Sequence, residues 1–168
     1  MNKDTILRID GEVNCPLRLS YEDLSKVAPR WQVPEVSRID AKREGVAVTL
    51  EGILQQAEVR PRGKYVTLHA SKDDFHASVG LEELIHRGIL IYQLNNLPLP
   101  QSKGGPVRFY IRDFAACKSA EVDECANVKF VDHIEITSAV GFDNRPRDEQ
   151  EHSQLHEGQL HEGQGGDS

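Results

Sequence analysis

The sequence predicts an α+β domain of mixed β-sheets with short helices over residues 1–140, followed by a disordered acidic tail over 141–168. Three observations carry this. Residues 1–140 hold more strand-like segments than helical ones, and the helices are too few and too irregularly spaced for a doubly wound parallel sheet. No internal repeat interrupts that stretch. After Val140 large apolar residues nearly vanish, so the remainder cannot offset the cost of ordering itself.

Each element has a local signature. "TILRID" from Thr5 to Asp10 reads as a strand closed by a turn at Gly11. Ser20 before "YEDLSKV" reads as a helix start, with Asp23 three residues on as the second half of a capping box. Thr49 heads a second helix, "LEGILQQA", in which Leu50, Ile53 and Leu54 share a face. "KYVTLHA" is the clearest strand, with Tyr65, Thr67 and His69 on one side and Val66, Leu68 and Ala70 on the other. "LEELIHRG" reads as a helix with Gly88 as its C-cap, and "ILIYQL" as a buried strand. "VRFYI" and "VKFVDHIEIT" complete the strands.

Composition narrows the function. The chain has 168 residues, 38% apolar and 28% charged, with no apolar run long enough to span a membrane. Its start, "MNKDTILRIDG", lacks the apolar core of a secretory signal, so a cytoplasmic location is expected. Of the net charge of −7, the tail carries −5, which leaves residues 1–140 at −2 without the concentrated basic face of a nucleic-acid binder. In the tail "QLHEG" occurs twice, placing His156 and His161 five residues apart downstream of His152, a weak chelating motif at most. Cys15, Cys117 and Cys125 do not make a disulfide framework, although Cys117 and Cys125 are close enough in sequence to form a loop pair. His69 and His76 suit packing as well as ligation.

Five segments in order, "ILRIDGEVNCPLRLSYEDLSKV", "GVAVTLEGILQQA", "YVTLHASKDDFHASVGLEEL", "ILIYQLNNLPLPQSKGGPVRFYI" and "CKSAEVDECANVKFVDHIEIT", resemble the molybdopterin-binding domain of the sulfite oxidase family. The resemblance covers about residues 6–137 and implies that family's fold of mixed sheets around a pterin-dithiolene cofactor with molybdenum. It also implies two-electron oxygen-atom transfer supplied by the cofactor. Carried over position by position, it implies that Gly104, Gly105, Arg108, Lys118 and Ser119 bind the pterin and its phosphate. By the residues alone, Arg108 is either a phosphate fork or an arginine on the exposed face of a strand.

The sequence departs from the family in places that matter. The metal-ligating cysteine is expected shortly before Gly45 and Val46, yet "WQVPEVSRIDAKRE" contains none, and Ser37 is the nearest small nucleophile-like residue. No metal ligand is therefore assigned. Lys103 replaces the family's histidine before Gly-Gly-Pro, while Asp74 and Asn96 replace turn glycines, a swap these two residues tolerate better than others. Acidic residues Glu121, Asp123 and Glu124 follow directly on Lys118 and Ser119. The expected function is a small molybdopterin-binding oxidoreductase-like protein whose usual thiolate-ligated catalysis is lost or altered. The alternative is a cofactor-free binding or scaffold module that kept the fold and serves a protein partner.

Overall fold

The computed structural model describes residues 4–39, 43–112 and 128–144. Lys118, Ser119, Cys117, Cys125 and the histidines of the tail lie outside them. Ten strands form two five-stranded sheets. The first contains β1 (Leu7–Gly11), β2 (Leu17–Leu19), β5 (Tyr65–Ala70), β6 (Phe75–Gly80) and β10 (His133–Thr137), in the order β2-β1-β10-β5-β6. Only the β1–β10 pairing is parallel; the other pairs are antiparallel.

The second sheet is built on β7 (Gly88–Leu94). One edge of β7 pairs with β4 (Val46–Thr49), which in turn pairs with β3 (Gln32–Val33). Its other edge is shared in succession by two short strands. β8 (Leu97–Pro98) takes Gln93 and Leu94, and β9 (Arg108–Ile111) takes Gly88 to Ile91. Chain 99–107 connects them, with the Leu99 N–H still donated to the Tyr92 carbonyl at 3.0 Å before the chain leaves β7 and returns at Arg108 opposite Ile91.

Period-two alternation sorts side chains between two cores. Leu90 and Tyr92 of β7 and Phe109 and Ile111 of β9 face the first sheet, where Leu7, Ile9, Val66, Leu68, Ile134 and Ile136 meet them in the main core. The intervening Ile89, Ile91 and Tyr110 face a smaller cluster with Val36, Ala47 and Leu99. Both faces of "ILIYQL" are thus buried, as a continuous apolar run requires. Arg108 shares the parity of Tyr110 and so belongs to the face of the smaller cluster.

The helices follow their caps. α1 (Tyr21–Ser25) carries both bonds of the capping box: the Asp23 N–H donates to Ser20 Oγ at 3.1 Å, and the Ser20 N–H to Asp23 Oδ2 at 2.9 Å. α2 (Leu50–Ala57) begins with the Gly52 N–H donated to Thr49 Oγ1, and buries Leu50, Ile53 and Leu54. Asp74 and Asn96 both adopt left-handed backbone, at φ of 51° and 66°.

Two local expectations are corrected. The segment after Gly80 forms a single turn, α3 (Leu81–Leu84), and Gly88 opens β7 instead of capping a helix. Packing decides this, because a Cβ at Gly88 would lie 2.6 Å from the ring of Phe109. "VKFVDHIEIT" is a strand only from His133: the Val128 carbonyl accepts from the Phe109 N–H, and the N–H groups of Phe130 and Val131 are donated to the carbonyls of Gly104 and Val107, so this stretch is bonded to the chain around β9. No helix among the described residues is long and apolar enough to cross a membrane.

Candidate functional site

A cavity of about 140 Å³ lies on the face of β7 that carries the smaller core. Its floor is apolar, formed by Ile91, Leu94 and Leu99. Around it stand Arg43, Lys103 and Arg108, with Glu44 as the single carboxylate and Ser102 as the hydroxyl. Three cations against one anion make the cavity electropositive although the chain as a whole is negative.

Topology brings the two arginines together from opposite edges of β7. Arg108 is the first residue of β9, opposite Ile91. Arg43 precedes the register shift between Val46 and Ala47 on β4, and its guanidinium lies 5.4 Å from the ring centre of Tyr110. The Nε atoms of Arg43 and Arg108 are the two buried side-chain polar atoms without a hydrogen-bond partner among the described residues. Burial holds the Arg108 guanidinium below its ordinary pKa, and the charge of Arg43 lowers it further. Among the described residues its outer Nη1 makes a long bond, 3.4 Å, to the carbonyl of Lys103. Buried donors are nearly always satisfied, and two orphaned guanidinium donors at one cavity can both serve a single anionic acceptor.

Gly104 and Gly105 lie in the loop between Lys103 and Arg108, which line the cavity. The Gly104 N–H is donated to the carbonyl of Gln101 and the Gly105 N–H to that of Pro100, both at 3.0 Å, so neither amide is left for a ligand. Gly104 has φ of +94°, which favours glycine, and a Cβ on Gly105 would collide with the Leu99 carbonyl. The aliphatic stem of Lys129 packs close to Gly104.

Of the residues expected from sequence, Arg108 lines this cavity together with Lys103; Gly104 and Gly105 follow Lys103 in the chain without lining it, and Lys118 and Ser119 fall outside the described residues. Ser37 sits exposed in the turn Val36–Arg38 and is not part of the cavity wall. Arg43 was not foreseen. Within "AKRE" it reads as one charge of a solvated turn, and only the pairing of β4 with β7 reveals where it goes.

Residues 2–141 match the oxidoreductase molybdopterin binding domain family, and the chain belongs to it. Its architecture is the sulfite-oxidase-type molybdopterin-binding fold. A solved structure similar to it is the sulfane dehydrogenase SoxCD from Paracoccus pantotrophus, with a TM-score of 0.58 and 19% identity. The similarity covers 83% of this chain and 40% of that one, so the present chain spans less than half of the neighbour's length. No curated protein matches the chain.

Proposed function

We propose that this domain binds a molybdopterin-type cofactor by its phosphate end, in the cavity walled by Arg43, Lys103 and Arg108, and that thiolate-ligated catalysis is lost or altered. The observation that carries the reading is the pair of buried, unpartnered Nε atoms on Arg43 and Arg108. A phosphate supplies the acceptors both lack, and guanidinium matches it in planar, bidentate geometry. Gly104 and Gly105 hold the loop that carries Lys103 and Arg108, and Lys118 and Ser119 are proposed to extend the same site.

The fit to the cofactor is divided between its ends. About 140 Å³ suits an anchoring group, since sites that enclose a whole drug-sized ligand run from about 300 to 1,000 Å³. At the metal end, soft molybdenum chemistry calls for a thiolate, and residues 31–44 contain no cysteine. When bound, such a cofactor supplies two-electron oxygen-atom transfer; the residues of this chain supply binding and orientation.

Purification of the full chain from a host that makes the cofactor tests this. Released pterin at near one equivalent, lost in Arg43→Met and Arg108→Met, is the expected result. Absence of pterin, molybdenum and tungsten under conditions that load a control enzyme would refute it and leave the cofactor-free binding module.

A further inference from the structure

Away from the cavity, on the first sheet, two histidines meet in a way that limits how many protons they hold. His69 on β5 and His76 on β6 stand directly opposite each other in register, with their Nδ1 atoms 2.7 Å apart. The other nitrogen of each ring is already committed. His69 Nε2 lies 3.0 Å from the Glu135 carboxylate on β10, and His76 Nε2 lies 2.8 Å from Asp74 in the preceding turn. Both partners are carboxylates open to solvent, and a carboxylate oxygen only accepts. Each Nε2 therefore carries a hydrogen.

That assignment leaves both Nδ1 atoms as bare lone pairs pointing at each other. One proton between them removes the conflict, with one ring an imidazolium that donates to its neighbour. A second proton would set two N–H donors face to face. A metal ion fits less well, because tetrahedral zinc with Zn–N near 2.0–2.1 Å separates two ligand nitrogens by roughly 3.3 Å. The described residues also contain no group of three or more His, Cys, Asp or Glu able to hold one.

The surroundings tie this proton to a segment of chain. Residues 141–144 run along the free edge of β6. The Gly141 N–H donates to Ser78 Oγ, the Ser78 N–H to Asp143 Oδ2, and the His76 N–H to Asn144 Oδ1, at 2.8–2.9 Å. Asn144 also donates its own N–H to the His76 carbonyl and its Nδ2 to that of Asp74. Phe142 packs edge-on against the His76 ring, 4.7 Å between centres. From β10, His133 stacks on His69 at 4.8 Å and bonds Asp10 of β1, which pairs in turn with Arg8. The charged groups around the pair are thus Asp74, Glu135, Asp10, Asp143, Arg8 and His133.

We propose that the His69–His76 pair is a proton-dependent latch: singly protonated, it seats the 141–144 strap on the edge of β6, and taking up a second proton it splits and releases the strap. Release uncovers the backbone of an edge strand, a template for pairing with another chain. It also frees the point from which residues 145–168 depart.

Imidazole nitrogen NMR on the ¹⁵N-labelled full chain, combined with amide exchange between about pH 8 and pH 5, tests the latch over the range in which histidine changes charge. At neutral pH one proton shared by the two Nδ1 atoms is expected. On acidification, uptake of the second should coincide with a loss of at least ten-fold in protection at the amides of His76, Ser78, Gly141 and Asn144. His69→Gln, whose amide can either donate to or accept from His76, should keep the strap seated throughout. Two unprotonated Nδ1 atoms at neutral pH, or strap amides that stay protected once both rings are charged, would overturn the proposal. So would acid release that persists in His69→Gln, and the wild-type titration decides alone if that variant does not fold.

Discussion

Arg108→Met separates an anion anchor from a structural arginine. Methionine retains an unbranched stem to lie along the apolar floor of Ile91 and Leu99 while removing the charge. Without ligand, wild type keeps a buried Nε–H with no acceptor, beside a second cation that lowers its affinity for its own proton. An unsatisfied buried donor costs about 1–3 kcal/mol, and because the outer end of Arg108 reaches solvent the lower part of that range applies. Arg108→Met should therefore leave the ligand-free protein unchanged or more stable by up to about 1 kcal/mol, about 2–4 °C in Tm for a chain of this size. Phosphate should act in the opposite sense. At one hundred times its Kd it would raise wild-type stability by about 2.7 kcal/mol, and Arg108→Met should lose most of that gain. Differential scanning fluorimetry across a phosphate series at constant ionic strength reads both effects. A variant that is several degrees less stable without anion, or that responds to phosphate as wild type does, would refute the argument.

Arg43→Met should behave in the same direction, and the double variant should fall short of additivity, because removing either cation relieves the repulsion felt by the other; a thermal double-mutant cycle measures the coupling. Gly105→Ala should destabilise by about 1–3 kcal/mol or more in urea unfolding, since its Cβ would run into the rigid backbone carbonyls of Leu99 and Pro100. Tyr92 is held above its ordinary pKa by burial, against the opposing pull of its hydrogen bond to Gln32. Its stabilising contribution is complete below the unfolded-state value of about 10 and declines as pH rises beyond it. Tyr92→Phe should flatten that alkaline loss of stability, at a cost of about 0.5–1.5 kcal/mol at neutral pH for the lost bond, as read by unfolding at pH 8 and above pH 10.

What the sequence disclosed was local. Ser20 with Asp23, Thr49 with Gly52, and the left-handed Asp74 and Asn96 are each decided within a few residues, where cap and turn chemistry act directly. Gly88 misled because its neighbour in space, Phe109, is twenty-one positions away, and tertiary packing outweighed a good C-cap signal. Arg43 was hidden for a similar reason: its destination depends on an irregular β4–β7 register, which no local pattern encodes. The histidines were legible as neighbours of one strand pair, but not as a proton-sharing contact. That contact requires His69 to lie opposite His76, and a shift of one residue would place the two rings on opposite faces of the sheet.

The two ends of a molybdopterin-type site make different demands, and this chain meets them unequally. Holding a phosphate needs fixed positive charge in a partly dry cavity, which Arg43, Lys103 and Arg108 provide from separate elements. Holding the metal through the protein needs a thiolate, and Cys15 is the cysteine among the described residues. It sits in the turn between β1 and β2, where its N–H bonds the Ala57 carbonyl, and it is not part of the cavity wall. Burial and the adjacent Glu58 carboxylate push its thiol up, opposite to what a ligand or nucleophile needs. Cys15→Ser should therefore leave pterin retention, metal content and the phosphate-dependent rise in Tm unchanged, measured on protein from a cofactor-competent host. Loss of bound metal in that variant with pterin retained would show that Cys15 reaches the metal by a rearrangement of the β1–β2 turn, and that this chain holds both ends of the cofactor.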